Sequence, residues 1–357
     1  MRRHTTSAPT VRRRTNGIPV VLGVDIGGTK TAAALIPASA TGGETEIHLP
    51  ARVPTPAGGG AAAVLAAALE LAEDRLTQAR AAGMDVIACG VGSAGTIDDN
   101  GVVTHATDAL PGWRGTDLAT AFTQRLGLPV TVLNDVHAWA LGEARYGAAR
   151  GSRLALVLTI GTGVGGALVR DGELLRGRNG MAGSLGHTPA VLPPDADADR
   201  PCPCGATGHL EAYASGPAIL SAYHARGGTA PDLKSLPLAR HNTRSPALRH
   251  PAETTDPRNP LGIGQQAGSE TVDDLAREVI REAAVILGRS IASAATLLDP
   301  DVIVLGGGVT GLGELLTVPL IETIRRYTPR GLDSVPVRFS TLGAHGAVLG
   351  AASAAMP

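Results

Sequence analysis

Aromatic residues are nearly absent from this chain. Tryptophan, phenylalanine and tyrosine make up 2% of its 357 residues. A chain of this length can bury a large core, and that core must be built from aliphatic and small side chains. No apolar run is long enough to span a membrane, so we expect no membrane partner. The formal net charge of −1 argues against a general nucleic-acid-binding role.

Cysteine is also scarce. The three cysteines are Cys89, Cys202 and Cys204. An odd count with one closely spaced pair argues against a disulfide framework and favours a reducing cytoplasm and a metal site. Arginines are concentrated before the first apolar run, and we expect residues 1–18 to form a basic flexible tail.

Strand and helix patterns alternate along the rest of the chain. Strands are predicted at Val20–Val24, Thr31–Ile36, Val86–Val91, Pro129–Leu133, Leu154–Ile160, Gly165–Val169 and Asp301–Leu305. Helices are predicted at Gly60–Ala82, Thr116–Leu126, from Asp135 to about Tyr146, at Thr271–Leu298 and from about His345. The order strand, strand, helix, strand repeats loosely after Leu154. It suggests two similar α/β lobes with a cleft between them.

The most informative motif is DIGGTK at Asp25–Lys30, directly after the apolar run Val20–Val24. Glycines let backbone N–H groups approach an anion closely, and an aspartate at a strand end can hold Mg²⁺ or water beside it. The same residues also fit an ordinary hairpin turn. The motifs further along the chain favour the phosphate-binding interpretation.

Asn134 and Asp135 lie where a predicted strand ends and a helix begins. Asp135 could cap the helix. It could also accept a proton from a substrate hydroxyl during phosphoryl transfer, with Asn134 binding a neighbouring hydroxyl. The residues alone leave both roles open, and the two roles do not exclude each other.

Two further glycine-rich segments follow predicted strands. Residues 161–166, GTGVGG, contain a GxGxxG pattern, but a dinucleotide fingerprint needs a following helix and a short apolar run follows here. We therefore expect a hairpin whose turn amides face a phosphate, with a plain hairpin as the alternative. The glycines at 306–308 fit either close packing or a surface for adenosine.

His187, Cys202, Cys204 and His209 form a candidate metal site. The pattern CxCGxxGH with an upstream histidine supplies four nitrogen and sulfur ligands, the number that a closed zinc site needs. Buried apolar thiols are the alternative. Two thiols separated by one proline in a Gly/Pro-rich loop do not form a core pattern, so we favour a structural zinc ion that pins this loop.

Taken in order, these motifs resemble those of the ROK family of sugar kinases and repressors. The resemblance covers nearly the whole chain after residue 18, and Gly186-His187 with the zinc motif is its most family-specific part. It implies an α/β, two-lobed, actin-like sugar kinase fold with an interlobe cleft and a zinc-pinned loop. The expected N-terminal lobe is 19–134 plus 342–357. The expected C-terminal lobe is 135–341, with the zinc motif at 187–209 and a flexible insert at 226–268.

The resemblance also implies roles for individual residues. The β- and γ-phosphates of ATP would be lined by Gly27, Gly28, Thr29 and Lys30, with Mg²⁺ held through Asp25 and water. The second phosphate loop would be Gly161, Thr162 and Gly163, and the residues near adenosine would be Gly306, Gly307 and Gly308. Asp135 would be the catalytic base. Substrate would be bound by Gly95, Asn134, Asp135, Ser184, His187 and Glu211. A homodimer is implied as well.

The chain departs from the family pattern on the substrate side. Ser184 stands where a glutamate normally binds sugar hydroxyls, so one charged hydrogen bond worth about 1.5–3 kcal/mol is lost. That loss is enough to change the preferred substrate. His209 stands where a third cysteine is usual, and Ala94 where a proline is usual. Zinc accepts imidazole, so we still expect the metal. The intact phosphate side favours a working kinase with a non-standard acceptor.

Three functions follow from these observations. The leading one is ATP-dependent phosphorylation of the primary hydroxyl of a hexose, with glucose as the default, or of a C7-cyclitol of the valienol or valiolone type. The second is a sugar-responsive transcriptional repressor. About two dozen residues precede Asp25, too few for the helix-turn-helix module that such repressors carry. The third is a catalytically silent sugar sensor. We expect no nucleic-acid partner.

Overall fold

The computed structural model describes residues 17–40, 42, 45–107, 109–194, 196–236, 274–332 and 334–357. The predicted tail, except its last two residues, and most of the predicted insert lie outside these ranges. Within the described part, no helix combines the length and the apolar character needed to cross a membrane.

The first half of the chain forms a five-stranded sheet with flanking helices and a separate small hairpin, β5-β6. Its elements are β1 (Ile18–Ile26), β2 (Lys30–Pro37), β3 (His48–Pro54), α1 (Gly60–Ala81), β4 (Met84–Ser93), β5 (Thr96–Ile97), β6 (Val103–His105), α2 (Leu118–Leu126), β7 (Val130–Asn134) and α3 (Asp135–Tyr146). The sheet has the strand order β3-β2-β1-β4-β7. β1 and β2 form an antiparallel hairpin, whereas β4 and β7 run parallel to β1.

The second half forms a sheet of the same design. Its elements are β8 (Leu154–Ile160), β9 (Val164–Arg170), β10 (Glu173–Leu174), α4 (Glu211–Ala214), α5 (Gly216–Ala225), α6 (Asp274–Leu298), β11 (Val302–Gly306), α7 (Glu314–Tyr327), β12 (Val337–Phe339) and α8 (Gly346–Ala354). The strand order is β10-β9-β8-β11-β12, and as in the first sheet three antiparallel strands are followed by parallel ones. This shared order is the repeat that the sequence suggests after Leu154.

Each sheet has its own aliphatic core. Trp113 and Phe122, both fully buried, lie in the core of the first sheet, where they supply much of its aromatic volume. The core of the second sheet is built mainly from leucine, isoleucine, valine and alanine, with α6 contributing one apolar face. The scarcity of aromatics therefore leads to cores built mainly from aliphatic side chains, as the composition predicts.

Helices α3 and α8 pack against each other between the two sheets. α8 contacts β1 and β4 of the first sheet, and α3 contacts β8 and β9 of the second. A Cβ added at Gly350 would lie 1.5 Å from the Ala138 carbonyl oxygen, and one at Gly142 would lie 2.3 Å from the Gly346 carbonyl oxygen. Glycine is required at these positions because the two helix backbones approach so closely.

Most predicted elements are present, with shifted ends. Helix α2 begins at Leu118 rather than Thr116 because the Asp117 side chain caps it, accepting a hydrogen bond from the Thr120 N–H at 2.9 Å. Strand β3 and helix α7 are among the elements that are not predicted, together with α4, α5 and the short strands β5, β6, β10 and β12. β3 is an edge strand that contains two prolines, and α7 contains Pro319.

The first part of the predicted insert is packed. Ala230 and Leu236 are buried in the core of the second sheet. Asp232 caps a short turn there by accepting a hydrogen bond from the Ser235 N–H at 2.8 Å. The predicted flexible segment therefore does not include residues 226–236, and residues 237–268 lie outside the described part of the chain.

Candidate active site

The carboxyl ends of β1, β4 and β7 meet at one edge of the first sheet. In the strand register Asp25 lies beside Gly92, and Gly92 lies beside Leu133. Asn134 ends β7 and Asp135 starts helix α3. Because parallel strands end at the same edge, Asp25 and Asp135 come together, although 109 positions separate them in the sequence.

The two carboxylates influence each other. Burial and the negative charge of Asp135 raise the pKa of Asp25 to about 7, against the positive charge of Arg52, which lowers it. Burial also raises the pKa of Asp135, against hydrogen bonds from Val136 and Asn134 that lower it. A pair of partly buried acids can hold a proton or a cation between them, which is a property of catalytic carboxylate sites.

Asn134, rather than Asp135, caps helix α3. Its Oδ1 accepts hydrogen bonds from the N–H groups of Val136 at 2.9 Å and His137 at 3.1 Å. Its Nδ2 donates to the Gly95 carbonyl and to Asp135 Oδ1, both at 2.9 Å. The amide of Asn134 therefore fixes the position of the Asp135 carboxylate while it caps the helix.

The turn at 27–30 is a hairpin, as one of the two sequence interpretations expects. Gly27 N–H donates to the Lys30 carbonyl at 3.1 Å, and the Thr55 hydroxyl donates to the Gly27 carbonyl at 2.7 Å. Thr29 and Lys30 lie exposed on this turn. A Cβ added at Gly28 would meet nothing closer than Ala109 at 3.6 Å. Packing therefore does not require glycine at this position.

The turn at 161–163 also joins two hairpin strands, β8 and β9. Gly161 N–H donates to the Gly163 carbonyl at 2.8 Å. A Cβ added at Gly161 would meet only the Gly308 nitrogen at 3.9 Å, and one at Gly308 would meet nothing within 4 Å. The second and third glycine segments therefore adjoin each other, and packing does not require glycine at Gly161 or Gly308.

Other glycines in these segments are required by packing. A Cβ at Gly163 would lie 2.3 Å from Glu211 Oε2, and one at Gly165 would lie 2.5 Å from Val136. Gly307 has a φ of 92°, which strongly favours glycine. The contact between Gly165 and Val136 places the second glycine turn beside Asp135.

A cavity of about 320 Å³ opens next to the third glycine segment. Its lining consists of Trp139, Gly306, Gly307, Gly308, Thr310, Phe339, Ser340 and Gly343. An added Cβ at Gly306 would lie 2.5 Å from the Trp139 ring, so this glycine makes room for the indole. Gly306 and Gly307 serve packing, as one of the two sequence interpretations expects, whereas Gly308 leaves a surface open.

The four predicted metal ligands form one cluster. Their ligand atoms all lie within 4.8 Å of one another, with Cys202 Sγ 3.8 Å from His187 Nδ1 and Cys204 Sγ 3.3 Å from His209 Nδ1. A tetrahedral zinc ion with nitrogen and sulfur ligands holds them about 3.3–3.8 Å apart. Burial raises the pKa of the Cys202 thiol to about 11, so a bound cation is needed to ionise it at neutral pH. The donor set fits zinc.

Glu211 connects the metal cluster to the second glycine turn. Its Oε2 accepts a hydrogen bond from the Val164 N–H at 2.8 Å, and its Oε1 lies 3.9 Å from Cys202 Sγ. The segment with Ser184 and His187 packs on β9, since a Cβ at Gly186 would lie 1.7 Å from the Val164 carbonyl oxygen. These contacts bring the predicted substrate residues of the second half beside the turn at 161–163.

Sequence reasoning misses two supporting residues. His137 is buried, and burial together with the charge of Arg176 lowers its pKa to about 4. The Arg176 guanidinium donates to the carbonyls of Ile97 at 3.2 Å and Asp98 at 3.4 Å, which ties the segment after β10 to the first sheet's side of the cleft. No local pattern signals either residue, because their partners lie about 40–80 positions away in the chain.

The chain is similar to known proteins over most of its length. A model of the ROK family matches residues 21–356. A glucokinase from Halalkalibacterium halodurans is 34% identical over 332 residues, which cover 92% of this chain and 92% of that protein. The ROK hexokinase from Thermus thermophilus is 33% identical with a TM-score of 0.71, and the match covers 94% of this chain and 97% of that one. A ROK family glucokinase from Streptomyces griseus, solved in complex with glucose and AMPPNP, is 31% identical with a TM-score of 0.67 over 94% and 99% of the two chains.

Proposed function

Because this chain belongs to the ROK family, we propose that it transfers the γ-phosphate of ATP to the primary hydroxyl of a hexose or a hexose-like substrate. The chain is an ATP-dependent sugar kinase, as its glucokinase and hexokinase relatives indicate. The predictions of the family and of the two-lobed, actin-like α/β fold are confirmed. The acceptor and the roles of individual residues belong to the proposal.

One observation carries the proposal. Asp135 begins helix α3, is fixed by Asn134, and lies beside both Asp25 and the turn at 161–163. In this position its carboxylate can orient the acceptor hydroxyl and take its proton as that oxygen attacks the γ-phosphate in line.

Backbone amides and Lys30 would hold the phosphates. The open positions at Gly28 and Gly161 support this role, because a side chain there would fill the space that a phosphate needs. The turn at 161–163 would bind the tail of ATP opposite the turn at 27–30, and the open surface at Gly308 would lie near adenosine. Closure of the two lobes would exclude water from the transfer.

Asp25 is the residue that would hold Mg²⁺ with the nucleotide. Its half-buried carboxylate lies near the end of β1, next to the first glycine turn, and burial together with the charge of Asp135 raises its pKa. Bound there, Mg²⁺ would neutralise charge on the phosphates. Asp25 would orient the metal through water, and Asp135 would remain free for the acceptor.

The acceptor would lie between Asn134 and the segment that carries Ser184, His187 and Glu211. Serine at 184 supplies a hydroxyl where a carboxylate would accept two hydrogen bonds, which weakens recognition of one sugar hydroxyl by about tenfold or more. Glucose and a C7-cyclitol of the valienol or valiolone type are the two acceptors that we propose. Both carry a hydroxymethyl group that Asp135 can deprotonate.

The zinc ion would be structural. Its ligand Cys202 contacts Glu211, and its ligand His187 belongs to the proposed acceptor site. The metal would therefore hold the acceptor side of the cleft in place. We also keep as proposals the homodimer and the lobe boundaries 19–134 with 342–357 and 135–341. The strands of each sheet fall almost entirely within these boundaries.

A phosphate-transfer screen tests the proposal. Purified protein with Mg²⁺ and ATP would be offered hexoses, N-acetylhexosamines and C7-cyclitols, and the products would be located by NMR. We expect transfer to the hydroxymethyl oxygen of glucose or a cyclitol. Transfer to a ring hydroxyl would contradict the assigned orientation. Acceptor binding without any turnover would indicate a silent sensor, and sugar-dependent binding to DNA would indicate a repressor.

A further inference from the structure

Helix α3 presents three functional candidates along one face. Asp135, Trp139 and Glu143 follow one another at a spacing of four residues, so they lie one turn apart on the same side of the helix. The first lies at the proposed phosphate-transfer site. The second lines the cavity beside Gly308, and the third is fully buried.

Trp139 forms one wall of that cavity and is 9% exposed. Its ring packs directly against two glycines. A Cβ added at Gly306 would lie 2.5 Å from the ring and one added at Gly346 would lie 2.4 Å from it, so the ring fits only because these residues have no side chain. Trp113, the other tryptophan of the chain, lies in the core of the first sheet and donates to the Ser93 hydroxyl at 3.0 Å. Trp139 is therefore the tryptophan that a ligand in this cavity can reach.

Glu143 fixes the same helix to the opposite wall. Its carboxylate accepts a hydrogen bond from the Ala148 N–H at 2.8 Å and contacts the hydroxyl of Ser340, which also lines the cavity. The Ser340 N–H donates to the Leu305 carbonyl at 2.9 Å. The cavity is thus held between α3 and the ends of β11 and β12.

We propose that Trp139 is a specificity-determining residue that contacts the purine nucleoside of the phosphate donor. This inference rests on the proposed function, since it assumes that the phosphates lie between the glycine turns. The donor would then touch α3 at two points one turn apart: its nucleoside at Trp139 and its terminal phosphate near Asp135. An apolar wall of indole beside exposed glycine backbone suits a flat, weakly polar base.

Comparing a phosphate donor that contains a nucleoside with one that does not separates this role from a purely structural one. We would measure dissociation constants of ATP and inorganic tripolyphosphate for wild type and for Trp139→Leu by calorimetry. Removing an aromatic side chain that contacts a base typically weakens binding about fivefold to 100-fold. We expect ATP binding to weaken by about tenfold or more and tripolyphosphate binding to stay within about twofold.

Phe122→Leu is the matched control, because it removes a fully buried aromatic side chain from the core of the first sheet. It should leave the ratio of the two dissociation constants unchanged. Adenosine alone should also change the fluorescence of wild type, and Trp139→Phe should abolish that change.

Equal weakening of both ligands by Trp139→Leu would overturn the proposal, since it would mean that the residue only supports the fold. Unchanged ATP binding would overturn it as well. In both cases the kinase function stands if wild type still transfers phosphate. A wild-type protein that neither binds ATP nor transfers phosphate would instead remove the proposed function itself.

Discussion

The two sheets share one strand order but carry different chemistry at the ends of their strands. The first sheet ends in acids, Asp25 and Asp135, and the second ends in glycine turns at 161–163 and 306–308. The acids can bind a cation and take a proton, whereas the turns offer backbone N–H groups to anions. A nucleotide held between them would meet both kinds of group at once.

The two sheets also differ in what their strand ends require of the residues there. On the first sheet a carboxylate must be partly buried, and this burial raises the pKa values of Asp25 and Asp135. On the second sheet side chains must be absent, and the open space at Gly161 and Gly308 satisfies this. Helices α3 and α8, packed through glycine, hold the two halves together.

Removing the acid at the start of α3 should have the largest effect. Asp135→Asn keeps the shape and the hydrogen bond from Asn134 but cannot take a proton. We expect kcat to fall about 10²–10⁴-fold, with ATP binding changed little. Asp171→Asn is the control, because Asp171 is exposed and its φ of 53° suits asparagine. Turnover of Asp135→Asn within tenfold of wild type would contradict the assignment of the base.

Loss of the metal should come next. Cys204→Ser removes one thiolate, and we expect zinc affinity to fall at least about 100-fold and the melting temperature to drop by several degrees. Metal analysis and calorimetry would check this, with Thr207→Ala in the same loop as control. Wild-type protein purified without any metal, yet active and stable, would show that the cluster binds none.

The raised pKa of Asp25 makes a prediction about stability. An unfolded aspartate has a pKa of about 3.9 and the folded one about 7, so the folded state keeps a proton that the unfolded chain releases. The stabilisation from this group is complete below pH 4 and is lost as the pH rises through 7. Asp25→Asn should therefore gain stability relative to wild type between pH 5 and pH 8, while its activity falls.

Melting temperatures of both proteins without ligand, measured across that pH range, test this prediction. His137 contributes in the opposite direction, because its lowered pKa costs stability as the pH falls below 6.5. It is present in both proteins, so the difference between them reports Asp25. A difference that does not change with pH would contradict the raised pKa.

The smallest effect is expected at Arg176. Arg176→Met removes its hydrogen bonds to the carbonyls of Ile97 and Asp98 and should cost about 1–2 kcal/mol of unfolding free energy. The Michaelis constant for the acceptor should rise a few-fold, since Ile97 lies two residues after Gly95, whose carbonyl accepts a hydrogen bond from Asn134. Arg170→Met, at an exposed position, is the control. Equal unfolding midpoints in urea for the two variants would exclude this role for Arg176.

Many features of the candidate site could be predicted because they depend on residues that lie close together in the sequence. Apolar runs that end in Asp25, Asn134, Gly161 and Gly306 mark the strand ends, and the spacing of Cys202, Cys204 and His209 marks the metal cluster. The parallel order of β1, β4 and β7 then brings the polar ends to one edge. The residues of the candidate site lie together for this reason.

The remaining features of the site depend on contacts between residues that lie far apart in the sequence. Nothing near Trp139 in the sequence indicates that its ring lies against Gly306 and Gly346, and nothing near Glu143 indicates Ser340. Sequence alone also does not separate glycines that packing requires, such as Gly163, from those that it does not, such as Gly161. That distinction needs the positions of neighbouring atoms.

The most direct test of the account is therefore a single methyl group at Gly161. This glycine has ample space and no left-handed φ, so Gly161→Ala should fold with an unchanged or slightly higher melting temperature. If the space is kept for a phosphate, kcat/KM for ATP should fall about 100-fold, whereas Asp171→Asn, at an exposed position, should keep full activity. A stable Gly161→Ala protein with wild-type kcat/KM would contradict the claim that the two halves close on one nucleotide.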